Sequence, residues 1–293
     1  DDNLHHYTSP SGIEELREAI SENFKNKFKL NYLKDELIVT AGVQESITLA
    51  MLSILSKDDE VLLTSPRFTT YDLAVRMCDA TPIPVPTFEK NDFALMPEEI
   101  SKRITSKTKI LVLVSPNNPT GAVTPPEKII EIAEIVKNNK LIVIADEIYA
   151  DLVYENHTHL SIGSLEEMKE RTLTLNGFSK TYAMTGWRIG YIAGPLDIIN
   201  KMTEIRHALS INSCTFSQYG AISALKGPQD KLEEMKEEYN TRRKFCMHAL
   251  QSMGLSYGEP GGAFYIYTNV SVSGMKASAF SEFLLKKTGV SNK

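Results

Sequence analysis

Cysteine is scarce in this chain: three in 293 residues, at positions 78, 214 and 246, with no C-x-x-C pair. That disfavours a zinc ribbon and a dithiol redox centre and suits a reducing compartment. Long apolar runs are missing. Residues 110–114 and 141–145 are the longest, far too short to span a bilayer. There is no basic block and no acidic tail, and the formal net charge is −5, so neither nucleic acid nor an anionic membrane is an expected partner. The opening residues are acidic and polar rather than basic then apolar, so a cytoplasmic location is expected. Neither G-x-G-x-x-G nor G-x-x-x-x-G-K-[ST] occurs, which argues against nicotinamide binding and P-loop nucleotide chemistry. No repeat or low-complexity segment is present. With 42% hydrophobic and 24% charged residues, collagen-like and disordered classes are excluded.

What is present is an alternation of two periodicities. Short β-branched runs at 36–41, 60–65, 109–114, 141–145, 172–176 and 189–193 read as strands. Apolar residues at helical spacing mark helices at 13–24, 43–55 and 125–139. The run at 109–114 has no polar alternation, which suits a sheet covered on both faces. The expected fold is therefore α/β, a three-layer αβα arrangement around a mostly parallel sheet. Beyond residue 228 the pattern changes to a long charged helix, 228–254, then a strand at 261–270 and a helix at 276–288. These form part of a smaller α+β domain. The expected organisation is an arm at 1–12, a large domain at 13–235 and part of a small domain at 236–293.

Ligands of open parallel sheets bind beyond the carboxyl ends of the strands. The residues following each strand are therefore the candidates. Gly42, Val43 and Gln44 open a helix, and bare amides beside a glycine can seat a phosphate, although an ordinary strand–helix turn reads the same way. Asn118 stands in a loop fixed by two prolines. Asp146 and Tyr149 follow the fourth run. Ser179 and Lys180 follow the fifth, and Arg188 comes eight residues later. A lone lysine there reads as a surface residue and a lone aspartate as a helix cap. Together they describe one site with an anion seat, an acid, an amide, a phenol, a lysine and an arginine. No metal site is expected: His157 and His159 read as a solvated loop, and Cys214 as a plain thiol.

The stretches HHYTSPSGIEELREAI, IVTAGVQES, SPRFTTY, SPNNPTGAV, IADEIYADLVY and LNGFSKTYAMTGWRIGYIAGP resemble the class I/II pyridoxal-phosphate-dependent aminotransferases of the aspartate-aminotransferase fold (fold type I), in the family's order. The resemblance implies a homodimeric enzyme with shared active sites. It would move the amino group of an L-amino acid to a 2-oxo acid in a ping-pong cycle between the pyridoxal and pyridoxamine forms of the cofactor. It implies Lys180 as Schiff-base lysine and proton shuttle. Asp146 would hold the pyridine nitrogen protonated, and Asn118 and Tyr149 would bond the ring oxygen. Arg188, Ser179 and the amides of Val43 and Gln44, beside Gly42, would hold the phosphate. Phe68 would stack on the ring, and Tyr7 would reach the phosphate of the neighbouring subunit.

The family also carries an arginine that grips the substrate α-carboxylate, in a segment beyond the last stretch matched here. No residue of this chain matches it, and the expectation is that an omitted segment supplies it. Two other readings share the scaffold: a carbon–sulfur β-lyase using the same cofactor, and a catalytically impaired cofactor-binding fragment.

Overall fold

The protein is described by a computed structural model over residues 4–291. Its strands are β1 (Leu37–Thr40), β2 (Glu60–Ser65), β3 (Thr81–Pro86), β4 (Thr108–Val114), β5 (Ile142–Asp146), β6 (Thr172–Gly177) and β7 (Gly190–Ala193), with β8 (Ser256–Tyr257) and β9 (Thr268–Asn269) in a separate pair. Its helices are α1 (Glu14–Phe28), α2 (Val43–Ile54), α3 (Thr70–Arg76), α4 (Pro97–Ser101), α5 (Pro126–Asn138), α6 (Phe178–Thr181), α7 (Leu196–Leu209), α8 (Thr215–Lys226), α9 (Asp230–Ser252) and α10 (Ala277–Thr288). The main sheet runs β1-β7-β6-β5-β4-β2-β3. Strand β7 is antiparallel to both neighbours and every other pair is parallel.

Successive side chains of a strand face opposite ways, and both faces of this sheet are covered. From β4, Ile110, Val112 and Val114 enter one core with α2, α3 and α7. Leu111 and Leu113 enter another with α4 and α5. A third cluster packs α1 and α8 on Leu37 and Val39 of β1 and Tyr191 and Ala193 of β7. This explains the unbroken apolar runs, and each fully buried Leu or Ile contributes about 1.5–3 kcal/mol relative to exposure. The expected mostly parallel αβα architecture is the one observed.

Two strands differ from the sequence reading. Strand β3, with the sequence TPIPVP, is not among the strands expected from the sequence. It lies at the open edge beside β2, where the amides of Thr81 and Thr87 donate to Asp59 and Ser65. Pro82, Pro84 and Pro86 have the opposite parity, so their nitrogens face away from the ladder and no bond is lost. The expected strand at 261–270 is not a strand. Its backbone bonds go to separate segments: Gly262 N to Gly121 O at 2.9 Å, Ala263 N to Leu152 O at 2.8 Å, and Tyr154 N to Gly261 O at 2.9 Å. Ala263 has φ 57°, which breaks the extended conformation; beyond one isolated bridge of Gly262 with Val153, the segment's ladder is confined to Thr268–Asn269, paired with Ser256–Tyr257.

Thr40, Gly190 and Gly177 lie opposite one another across β1, β7 and β6. A Cβ at Gly190 would stand 2.8 Å from the carbonyl carbon of Gly42 and from the amide nitrogen of Val43. Backbone atoms cannot swing aside as a side-chain tip can. Gly190→Ala is expected to displace the Gly42–Val43 turn and cost about 1–3 kcal/mol, as overpacking does; a urea unfolding midpoint unchanged from the parent would contradict it.

Candidate active site

The register brings the carboxyl ends of β1, β4, β5 and β6 and the start of β7 to one rim. Asp146 ends β5 opposite Val114 of β4 and Leu175 of β6. Here the apolar faces stop and polar side chains begin.

Asp146 is buried, with 6% of its surface exposed. Burial pushes its carboxyl up to about 6. Three contacts oppose that rise in part. The Tyr71 hydroxyl donates to Oδ2, the Ile148 amide donates to Oδ1 at 3.2 Å, and the charge of Lys180 acts in the same direction, while the neighbouring Glu147 adds to the rise. Tyr71 is itself fully buried, and burial followed by the charge of Asp146 raises its hydroxyl well above the ordinary tyrosine value. Tyr71 therefore serves as a neutral donor to the carboxylate.

Lys180 sits in α6, directly after β6, with its amino group over two rings: 5.3 Å from the centroid of Phe264 and 5.8 Å from that of Tyr149. Tyr149 is buried, and its hydroxyl shares a 2.7 Å hydrogen bond with that of Tyr265. Burial, then that bond, raises the Tyr149 hydroxyl. Phe264 stands edge-on to Tyr149 and stacks on Tyr239 of α9. The segment that failed to form a strand thus supplies the wall facing the lysine.

Arg188 adopts φ 51°, a left-handed conformation costing a non-glycine residue about 1–2 kcal/mol. Its guanidinium bonds compensate: Nη1 donates to Thr185 O at 3.0 Å and Nη2 to Ala41 O at 3.3 Å. This lays the guanidinium across Gly42, whose φ of 87° and missing side chain are both required. A Cβ there would lie 2.6 Å from Arg188 Nη2. Gly42 caps α2, whose first amides, those of Val43 and Gln44, have no intrahelical acceptor. Ser179 is half-buried beside Lys180.

Other candidates occupy different positions. Asn118 is half-buried beyond β4 and makes no hydrogen bond among the described residues. Its neighbour Asn117 organises the loop instead, with Oδ1 accepting from Thr120 Oγ1 at 3.0 Å and from the Thr120 amide at 3.3 Å. Phe68 follows β2 and is 39% exposed. Tyr7 is 79% exposed and lines a surface hollow with His5, Ser213 and Cys214. Its arm is pinned across the start of α8: Thr215 Oγ1 donates to His6 O at 2.8 Å, and Asn212 and Gln218 both donate to Thr8 Oγ1 at 3.1 Å.

The sequence reading needs one further correction. His159 is not in a solvated loop. Its side chain is 7% exposed, 3.3 Å from the buried Glu147 carboxylate and edge-on to Phe28. The isolated H-x-H spacing carried no sign of a partner twelve residues upstream. Tyr71, Phe264, Tyr265 and Asn117 were also not singled out. Tyr71 lay within a motif already noted, where its i+3 relation to Phe68 was the available signal.

The buried carboxylate has a thermodynamic signature. A carboxyl raised from 3.8 to about 6 binds more protons folded than unfolded between those values, so its contribution makes stability fall as pH rises through that window. At about 1.4 kcal/mol per pKa unit, the penalty at pH 7 is about 3 kcal/mol. Asp146→Asn should therefore stabilise the cofactor-free chain at pH 7 by up to about 3 kcal/mol and have little effect near pH 4. Urea unfolding at the two pH values checks this, and an equal effect at both would show that the carboxyl is not shifted.

Comparison with known proteins gives a consistent picture. The family description "Aminotransferase class I and II" matches residues 1–291. Aromatic-amino-acid aminotransferase 2 of Thermococcus litoralis is 39% identical over 293 residues, covering 99% of this chain and 75% of that protein. Aspartate aminotransferase of Pyrococcus abyssi is 40% identical over 290 residues, covering 98% and 75%. The crystal structure of the aromatic aminotransferase from Pyrococcus horikoshii OT3 superposes with a TM-score of 0.98 at 40% identity, covering 99% of this chain and 79% of that one. Neither similarity favours a lyase. The chain therefore belongs to the class I and II aminotransferases, fold type I enzymes that use pyridoxal phosphate to move amino groups.

Proposed function

We propose that this chain transfers the amino group of an L-amino acid to a 2-oxo acid in a ping-pong cycle, with Lys180 as the covalent anchor of pyridoxal phosphate. The observation that carries the reading is the placement of one lysine over two aromatic rings beside a buried, raised carboxylate. The donor set fits the cofactor. The gap at Gly42 that a Cβ would fill lies under a guanidinium, and with Ser179 and the amides of Val43 and Gln44 it suits a phosphate dianion. Asp146, compensated only in part within the chain, suits a cationic ring nitrogen.

When bound, pyridoxal phosphate supplies an electron sink that acidifies the Cα–H of an attached amino acid. Asp146 would hold a proton at the ring nitrogen. Tyr149 and Asn118 would lie toward the ring oxygen; with Tyr265 as donor in their shared bond, the Tyr149 hydroxyl would be free to donate to it. Phe68 would cover one ring face. Lys180 Nζ would anchor the cofactor and, as a free amine, would serve as the base and acid that moves the substrate's Cα proton. Phe264 and Tyr239 limit water around that amine. Residues 13–235 form the cofactor-binding domain. Residues 236–293 are part of a small domain, with the boundary inside α9, so one continuous helix links the two.

We further propose a cytoplasmic homodimer in which the arm, residues 1–12, carries Tyr7 to the partner's phosphate. Its support is the exposed phenol on an arm that is otherwise pinned. The negative net charge accords with the location, and no helix among the described residues is long and apolar enough to cross a membrane.

Borohydride reduction of the cofactor-loaded protein followed by peptide mapping should place the pyridoxyl label on Lys180; a label on another lysine would overturn the assignment. Tyr7→Phe should weaken cofactor retention by about 0.5–1.5 kcal/mol, or more if the bond is to a charged oxygen. Sedimentation with absorbance detection should show cofactor release on dilution to monomers, and a monomer retaining one cofactor per chain would exclude the shared site.

A further inference from the structure

Arg206 is the largest fully buried side chain among the described residues. It lies near the end of α7, and none of the roles assigned above uses it. A buried guanidinium stays charged and is costly unless its donors are met. Here Nη1 and Nη2 are hydrogen-bonded and Nε faces a carboxylate, the partners coming from separate parts of the chain. Nη1 donates to the carbonyl of Pro10 in the arm. Nη2 donates to Ser213 Oγ at 2.6 Å, and that hydroxyl donates on to Val39 O of β1 at 3.2 Å. Nε lies 3.5 Å from Glu45 Oε2, an ion pair rather than an aligned hydrogen bond.

Glu45 carries the connection toward the rim. It stands in the first turn of α2. Its Oε1 accepts from Ser210 Oγ at 2.8 Å, and its Oε2 accepts from the Ala41 amide at 2.6 Å. The Ala41 carbonyl in turn receives Arg188 Nη2 at 3.3 Å. A continuous path therefore runs from Arg206 through Glu45 and Ala41 to Arg188, alongside Gly42. An apolar side chain could fill the same volume among the α2 and α7 core residues without the cost of burying charge. What it could not do is hold the Glu45 carboxylate against the turn.

We propose that Arg206 is a positioning residue for the phosphate seat. It fixes Glu45, Glu45 clamps the Ala41–Gly42 turn, and the turn aims Arg188. Through Pro10 the same guanidinium ties the seat to the arm that carries Tyr7. The inference rests on the proposed reading of Arg188 and Gly42 as that seat.

The test compares equilibrium binding of pyridoxal phosphate with that of pyridoxal, which lacks the phosphate, to the full chain and its variants by absorbance titration. Arg206→Gln and Glu45→Gln should each weaken pyridoxal phosphate by about tenfold or more, the scale of one lost charge-assisted hydrogen bond, and leave pyridoxal within about twofold. Arg206→Lys should recover part of the loss. A role confined to stability would not change the ratio of the two affinities, so equal weakening of both ligands, or of neither, overturns the proposal. If Arg206→Gln does not fold, Glu45→Gln decides the same question. Arg188→Gln is the reference. If it shows phosphate-selective loss and the other two do not, only the positioning role falls. If Arg188→Gln shows none, the seat itself is misassigned and the proposal falls with it.

Discussion

A sheet covered on both faces leaves no room for charge except where its strands end. Strands β4 and β5 give both of their faces to apolar cores, and the second face of β6 carries only neutral polar side chains, so ionisable side chains gather at the rim where these strands end. That constraint accounts for the crowding of Asp146, Lys180 and Arg188 at one edge. It also accounts for their unusual environments. Asp146 sits one residue beyond a wholly apolar run, close enough to the core to be desolvated and far enough to meet Tyr71.

The rim is assembled by backbone proximity as much as by side chains. The guanidinium of Arg188 reaches the Ala41 carbonyl only because Gly42 and Gly190 bring the turn between β1 and α2 against the start of β7. The strained backbone at Arg188 is held by two hydrogen bonds from its own side chain. Conformational cost at the site is thus offset locally, within a few residues of where it arises.

Much of this was legible in the sequence because it is written in local patterns. The strands at 60–65 and 109–114, and the glycine before Val43, are statements about period and turn chemistry, and those survive folding. The rim residues were legible for a second reason: each immediately follows a strand, and strand ends converge in a parallel sheet. What was not legible depends on distance in the chain. The partner of His159 is Glu147, reached only after the segment between them folds back. Tyr265 meets Tyr149 across more than a hundred residues. Residues 261–270 carry an apolar, aromatic run that suits a strand, yet the backbone groups of Gly261, Gly262 and Ala263 are claimed by the loops after β4 and β5. Strand β3 escaped notice because prolines are hostile to a ladder, and their parity with respect to β2 could not be known before the neighbour was.

That parity has a consequence at the edge of the molecule. An unpaired strand normally offers an incoming strand a row of amides and carbonyls and so invites sheets to fuse end to end. On the outward side of β3 the amide positions belong to Pro82, Pro84 and Pro86. A foreign strand arriving there would find acceptors but no donors, and half of every potential ladder would be missing. The sheet therefore stops at β3 by its own chemistry, with no helix or loop needed to cover it, and extension of the sheet by another chain is blocked on that side.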